Sequence, residues 1–220
     1  MIRYTDIDVT GEDAFEFLQG QLTNDLARLE KEATIATAWC NPKGRVIWFG
    51  AARPASGGFR LKVPAEIAEP MLQRLTMFRF RAKVEFGLNE DSSEAHPDAL
   101  IEAGWPHIGG EQVEQFTPHM LNLDRLDAIS LDKGCYTGQE IVARTHYKGK
   151  TKRRTLRFSS TEPVSVGAKV TSGDRAVGEV LNAAGTQLLA VIPIDRKDDD
   201  LDVAGTPLSL LPLPYDLNSD

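Results

Sequence analysis

The chain has 220 residues, 41% of them hydrophobic and 26% charged, the composition of a soluble globular protein able to bury a core without disulfides or a structural metal. A net charge of −7 argues against a molecule built as a whole to hold nucleic acid, and two distant cysteines, Cys40 and Cys135, form no disulfide framework and suit a reducing compartment. No apolar run approaches the roughly 20 residues that cross a bilayer, and the acidic N-terminus lacks a basic-then-apolar leader, so the sequence reads as cytoplasmic.

The first expected helix follows Thr10, with Thr10 and Asp13 as a capping pair and Ala14, Phe15, Leu18 and Leu22 facing the core. Gly20 stops or bends it. Residues 34–40 read as a strand, Asn41-Pro42-Lys43-Gly44 as a turn, and 45–51 as the returning strand of a hairpin. A strand at 58–63 precedes a helix at 65–78, which Pro70 breaks or restarts. Residues 82–88 read as a strand and 89–98 as a polar loop. Residues 101–110 are dense in turn residues, and 122–129 suggest a short helix or helical turn.

Residues 131–147, LDKGCYTGQEIVARTHY, are the most unusual stretch. Thr137 and Glu140 have the spacing of a capping box, with Ile141, Val142 and Thr145 on or near the buried face of the helix they start. Gly134 and Gly138 allow a tight approach to that helix. Cys135 then sits in a loop at a helix N-terminus, two residues after Lys133, where unpaired amides and an ammonium favour thiolate. Local sequence leaves two readings open, a reactive thiol and a small buried hydrophobe. Beyond the helix, Arg144, Lys148, Lys150, Lys152, Arg153, Arg154 and Arg157 form a basic strip in an acidic chain. It suits carboxylates, phosphates or RNA, or is simply solvated.

After Lys150, short β-like runs at 154–159, 168–171, 176–182, 187–194 and 207–212 suggest a small antiparallel barrel or sandwich, and 195–202 a charged, solvated connection. The domain boundary is placed near Gly149. The four histidines, His96, His107, His119 and His146, share no metal-ligand spacing with the cysteines, and no phosphate-binding glycine motif occurs.

KGCYTGQE, residues 133–140, resembles the signature of the YgfZ family, which includes mitochondrial iron–sulfur assembly relatives. GEDAFEFLQGQLTNDL at 11–26 resembles the family's opening helix and Gln-x-Thr-Asn-Asp turn, and WCNPKGRV at 39–46 its bacterial hairpin. EAGWPHIG at 102–109, followed by FTPHMLNLDRLDAIS, keeps the family order. The wider superfamily includes the glycine-cleavage T-protein, GcvT, a tetrahydrofolate-dependent aminomethyltransferase with three domains around a folate channel. The resemblance implies an α+β, GcvT/YgfZ-like fold. Residues 1–149 would form a mixed α+β folate-binding region with a trimmed middle domain, since no GYTGEDG-type motif is present. Residues 150–220 would form a small C-terminal antiparallel β-barrel.

The resemblance further implies tetrahydrofolate as cofactor and a role in assembly or repair of iron–sulfur clusters in client enzymes, tRNA-modifying enzymes among them. The partners it implies are iron–sulfur assembly proteins or client enzymes, with no membrane and no direct nucleic-acid contact. Cys135 becomes the functional thiol, and Lys133, Gln139, Arg144, Lys150 and Asn24 the expected folate contacts. The basic strip from Lys148 to Arg154, with Arg144, would receive the folate tail or a partner's acidic surface. Asn24 and Asp25 also suit a structural turn, Glu140 a cap and Cys40 a packed hairpin position. Where the T-protein hairpin resembles G-G-I-x-D-D, this chain has Trp48 and Phe49 in place of the acids. Neither ring takes or relays a proton, so ordinary aminomethyl transfer is expected to be absent. The alternatives are a folate-dependent aminomethyl- or methyltransferase, direct tRNA modification, and a folate-free adaptor.

Overall fold

A computed structural model describes residues 1–149 and 151–217, with the main chain alone at 90–92. Its N-terminal part is a five-stranded antiparallel sheet of β1 (Ile2–Thr10), β2 (Ile35–Cys40), β3 (Val46–Ala55), β4 (Gly58–Pro64) and β5 (Glu85–Ala95), in the order β2-β3-β4-β1-β5. Strand β1 is absent from the sequence expectations because Asp6 and Asp8 interrupt its apolar pattern. Arg53 on β3 pairs with Asp6 at 2.6 Å, and Arg60 on β4 pairs with Asp8. Ile7 and Val9 are fully buried.

Further expectations need correction here. The loop at 89–98 is the second half of β5 followed by α3 (Pro97–Glu102). Its polar residues form a strand because they pair with β1, as in Ile2↔Ala95. Helix α2 (Ala65–Phe78) runs unbroken through Pro70, and Ile67, Ala68, Met71 and Leu75 bury its inner face. Helix α1 (Ala14–Gln19) ends at Gly20 as expected. It buries Phe17 rather than Phe15, and Asp13 accepts from the Lys83 amide at 2.7 Å instead of capping it.

Residues 103–138 form mostly turns that pack on β2 and β3, and the short helix or helical turn expected at 122–129 is a helical turn, with Leu126 N–H donating to the Asn122 carbonyl at 3.0 Å. Helix α4 (Gln139–Lys148) follows, and then a closed six-stranded barrel. The barrel consists of β6 (Arg153–Ser160), β7 (Lys169–Ser172), β8 (Arg175–Ala184), β9 (Gln187–Pro193), β10 (Leu201–Val203) and β11 (Thr206–Leu211). Five of these strands match the expected runs, and β10 lies at the end of the stretch read as a charged connection.

Both faces of the β2–β3 hairpin are buried, which explains its nearly continuous apolar sequence. Trp39 and Trp48, paired across the hairpin, enter the core under α1 and α2. Ala38, Cys40, Val46 and Phe49 enter a second core with Ile101, Ile108, Leu121 and Leu123, and with Leu181, Leu189 and Val191 of the barrel. A third cluster fills the barrel itself.

Candidate functional site

The segment before α4 is fixed from below by Lys133. Its buried ammonium donates to the carbonyls of Gln19 at 2.7 Å, Leu22 at 2.7 Å and Asn24 at 3.0 Å. The first closes the C-terminal end of α1, where unpaired carbonyls favour a cation. An ammonium has only three hydrogens, so this cage engages all of them. Burial lowers the Lys133 pKa to about 8, against the pull of the Asp25 carboxylate. Its charge also lies 5.3 Å from the centroid of the buried Tyr136 ring.

Asn24 is fully buried and does comparable work. Its amide nitrogen donates to the carbonyls of Ala36 at 2.8 Å and Asp127 at 2.7 Å, while its side-chain oxygen accepts from the Asp25 amide at 2.8 Å. It thereby ties β2 to the turns that follow α3. For both Lys133 and Asn24, proposed from the sequence as folate contacts, the structure supplies a local task that uses their polar atoms.

The expected capping box at Thr137 and Glu140 does not form. The N-cap of α4 is instead Gly138, at φ 84°, which has no side chain to cap the helix. Its left-handed backbone lets the loop press onto the hairpin turn, where a Cβ would lie 3.2 Å from Gly44 Cα and 3.3 Å from Cys40 Cβ. Gly44, at φ 66°, receives Ile141 in return, so Ile141 packs on the turn while remaining part-exposed. Thr137 instead donates its hydroxyl to Gln21 Oε1 at 3.3 Å and its amide to the Gly20 carbonyl at 3.2 Å. Glu140 is exposed.

On this platform Cys135 is exposed and its thiol is free, whereas Cys40 is fully buried beneath the loop. Burial pushes the Cys40 thiol up to about 12. Gln139 is half-buried at the first position of α4, and Arg144 is exposed on its outer side. Lys150 lies outside the described residues. Trp48 and Phe49, at the positions where the T-protein has acids, are both buried, and Phe49 packs on Trp105 with centroids 4.5 Å apart.

The structure divides the basic strip. Arg154 points inward, is buried, and forms a two-pronged pair with Asp124 at 2.6 and 2.9 Å while also donating to the His119 carbonyl at 3.1 Å. Arg157 donates to Gln187 at 3.1 Å. Lys152 and Arg153 instead line a groove of about 760 Å³ with Arg175 and Arg196.

A second hollow, of about 510 Å³, opens where the C-terminal half of α4 meets the 117–125 turns and β6. His119, Asp124, Arg125, His146, Tyr147 and Arg154 are among its walls. His119 is 2% exposed, and neither ring nitrogen has a hydrogen-bond partner among the described residues. Burial lowers its pKa to about 4, opposed by the Asp124 carboxylate, so the ring is neutral at physiological pH. Spacing gave no signal for His119, because the groups around it come from three separate stretches. The hollow has the size of a small-molecule site. Among the described residues no group of three or more side chains is arranged to hold a metal ion. Among the described residues, Asn24, Lys133, Gln139 and Arg144 do not line the hollow, whereas Arg154 of the expected basic strip does; the hollow lies by the far end of α4 from Cys135, roughly 15 Å of helix away.

Comparison with known proteins agrees with this architecture. Residues 152–214 match the family described as CAF17, C-terminal beta-barrel domain. An uncharacterized protein of Haemophilus influenzae is 30% identical over 77% of this chain and 76% of its own length. The tRNA-modifying protein YgfZ of Vibrio atlanticus is 25% identical over 97% of this chain and 90% of its own. The crystal structure of glycine cleavage system aminomethyltransferase T from Bartonella henselae superposes with a TM-score of 0.68 at 15% identity, covering 96% of this chain and 83% of that one.

Proposed function

The chain belongs to the YgfZ family, on a GcvT-like fold, and from that premise we propose that it binds tetrahydrofolate and supports iron–sulfur clusters of client enzymes, with Cys135 as its working thiol. The name carried by its relatives relates the family to tRNA modification, so the clients we propose are tRNA-modifying enzymes that carry such clusters.

The observation that carries the reading is the contrast between the two cysteines. One sulfur is sealed, and the other stands exposed on a loop held by a three-carbonyl lysine cage and a glycine-to-glycine contact. A sulfur so placed can donate to iron or attack a partner's disulfide. The residues around it hold the loop and leave the sulfur open to a partner of protein size. Folate has a flat pterin with hydrogen-bonding edges and an anionic tail, and the His119 hollow has room for the first of these.

The test is complementation in cells lacking the native protein. Cys135→Ala should abolish support of the iron–sulfur tRNA-modifying enzymes, while Cys40→Ala, once shown to fold, should retain it. Full support by Cys135→Ala removes the thiol from the function. A folate-free adaptor is the second reading, favoured by the local tasks of Lys133 and Asn24. Calorimetric titration with tetrahydrofolate separates the two, and saturable binding excludes the adaptor.

A further inference from the structure

In a chain of 25 basic and 32 acidic residues, one groove on the barrel inverts the balance, with four cations and a single acid among its walls. Lys152 just before β6, Arg153 on β6, Arg175 at the start of β8 and Arg196 just after β9 reach it from three separate stretches of chain, and Asp195 is the acid. Arg196 is paired with Asp199 at 3.0 Å. Lys152, Arg153 and Arg175 form no ion pair among the described residues. Like charges gathered in this way repel one another, and an anion among them relieves the repulsion. Arg153 is held in place, since its guanidinium donates to the main-chain carbonyls of Val177 at 3.2 Å and Val191 at 3.3 Å. Those bonds fix the charge against the barrel wall without neutralising it. Lys152 and Arg175 are exposed, and their side chains make no hydrogen bond among the described residues.

The walls narrow the ligand. Three of the four cations are arginines, whose planar forks match phosphate and carboxylate oxygens. Ala176, Val177, Pro193 and Ile194 complete the lining with aliphatic surface, and the volume of about 760 Å³ is that of a small-molecule site. The chain on either flank is acidic: Asp174 precedes Arg175, and Asp198, Asp199 and Asp200 follow Arg196. An RNA strand or an acidic polypeptide would run onto those carboxylates, whereas a compact anion keeps its charge within the groove. Among the described residues no aromatic ring lines the groove to stack the bases of a single strand. Adjacent phosphates on a less polar body match both the cations and the aliphatic wall.

We propose that this groove binds a compact organic polyphosphate, with Lys152, Arg153 and Arg175 on the phosphates and Val177 and Ile194 under the rest of the molecule. Arg144 and Arg154 of the same basic strip take no part, since the first is on the outer side of α4 and the second is engaged by Asp124. The site stands apart from the folate reading, because folate carries carboxylates and no phosphate.

Calorimetry on the full chain, with a chelator present, uses three probes: ATP, inorganic pyrophosphate and a pentaglutamate peptide. ATP should bind saturably, more tightly than the other two, and more weakly as salt is raised. Lys152→Glu combined with Arg175→Glu should lose at least about tenfold in ATP affinity. Lys152→Gln combined with Arg175→Gln removes the charges without reversing them and should show a smaller loss in the same direction. Both positions are exposed, so these variants should keep the dichroism of the parent. Lys31→Glu combined with Lys43→Glu makes the same change in net charge on exposed lysines outside the groove, and should leave the affinity within about twofold. Absence of saturable binding by either phosphate probe overturns the site, as does an equal loss in the two charge-reversed pairs. Pentaglutamate binding more tightly than ATP overturns the phosphate assignment, and pyrophosphate binding as tightly as ATP overturns the part given to the aliphatic wall.

Discussion

Lys133 and His119 are both buried and ionisable, and their environments treat charge in opposite ways. Lys133 finds three carbonyls, whereas His119 finds none. Replacing Lys133 by Met should cost about 3 kcal/mol in urea denaturation, because the carbonyls of Gln19, Leu22 and Asn24 lose their shared donor. His119 sets a pH dependence. Its pKa falls from 6.5 to about 4 on folding, because burial and the charges of Arg154, His146 and Arg125 outweigh Asp124. Between those values the unfolded chain takes up a proton that the native one refuses, so stability falls as pH drops from 6.5 toward 4. The stability gap between wild type and His119→Phe should therefore shift by up to about 3 kcal/mol, against the wild type, between neutral pH and the acid end of that window. Denaturation curves at the two pH values test this. Neither role was legible in the sequence. A main-chain carbonyl has no residue signature, and the loneliness of His119 depends on what three distant stretches fail to offer it. The exposure of Cys135, one of the two readings left open, was legible only through the motif around it.

At the scale of elements, the hairpin, α2 and most of the barrel follow from apolar patterning and turn residues, whereas α4 is expected from the spacing of Thr137 and Glu140. The misses have a common cause, which is pairing over long sequence distance. Strand β1 carries acids that arginines on β3 and β4 neutralise, and the polar half of β5 exists because β1 offers it a ladder. The start of α4 fails for a different reason. The local rule favoured a threonine cap, but close approach to the 41–44 turn demanded a glycine in a left-handed backbone. Two substitutions separate these effects. Gly138→Ala should destabilise by more than about 2 kcal/mol, since strain and collision add. Gly134→Ala, whose Cβ meets nothing within 4 Å, should stay within about 0.5 kcal/mol. Chemical denaturation of the pair gives both numbers.

In the whole molecule, the expected change of domain near Gly149 falls between two parts that share a core. Phe49 and Val46 of the sheet, Leu121 and Leu123 of the turns, and Leu181, Leu189 and Val191 of the barrel form one cluster. Unfolding should therefore be a single event. Tryptophan fluorescence, which reports on the sheet and the turns after α3, and far-ultraviolet dichroism, which also reports on the barrel, should give superimposable denaturant curves. Two separated transitions would show that the barrel folds independently. The comparison with the aminomethyltransferase structure fits such integration, since the likeness extends over 96% of this chain.

The burial of Cys40 beneath the loop that displays Cys135 has a further chemical consequence. A sulfenic acid formed on the outer sulfur has no accessible second thiol within its own chain. Its rescue must come from outside, from glutathione or from a cysteine on a docked protein. Any disulfide formed at that position would therefore be intermolecular, and would identify the partner that formed it.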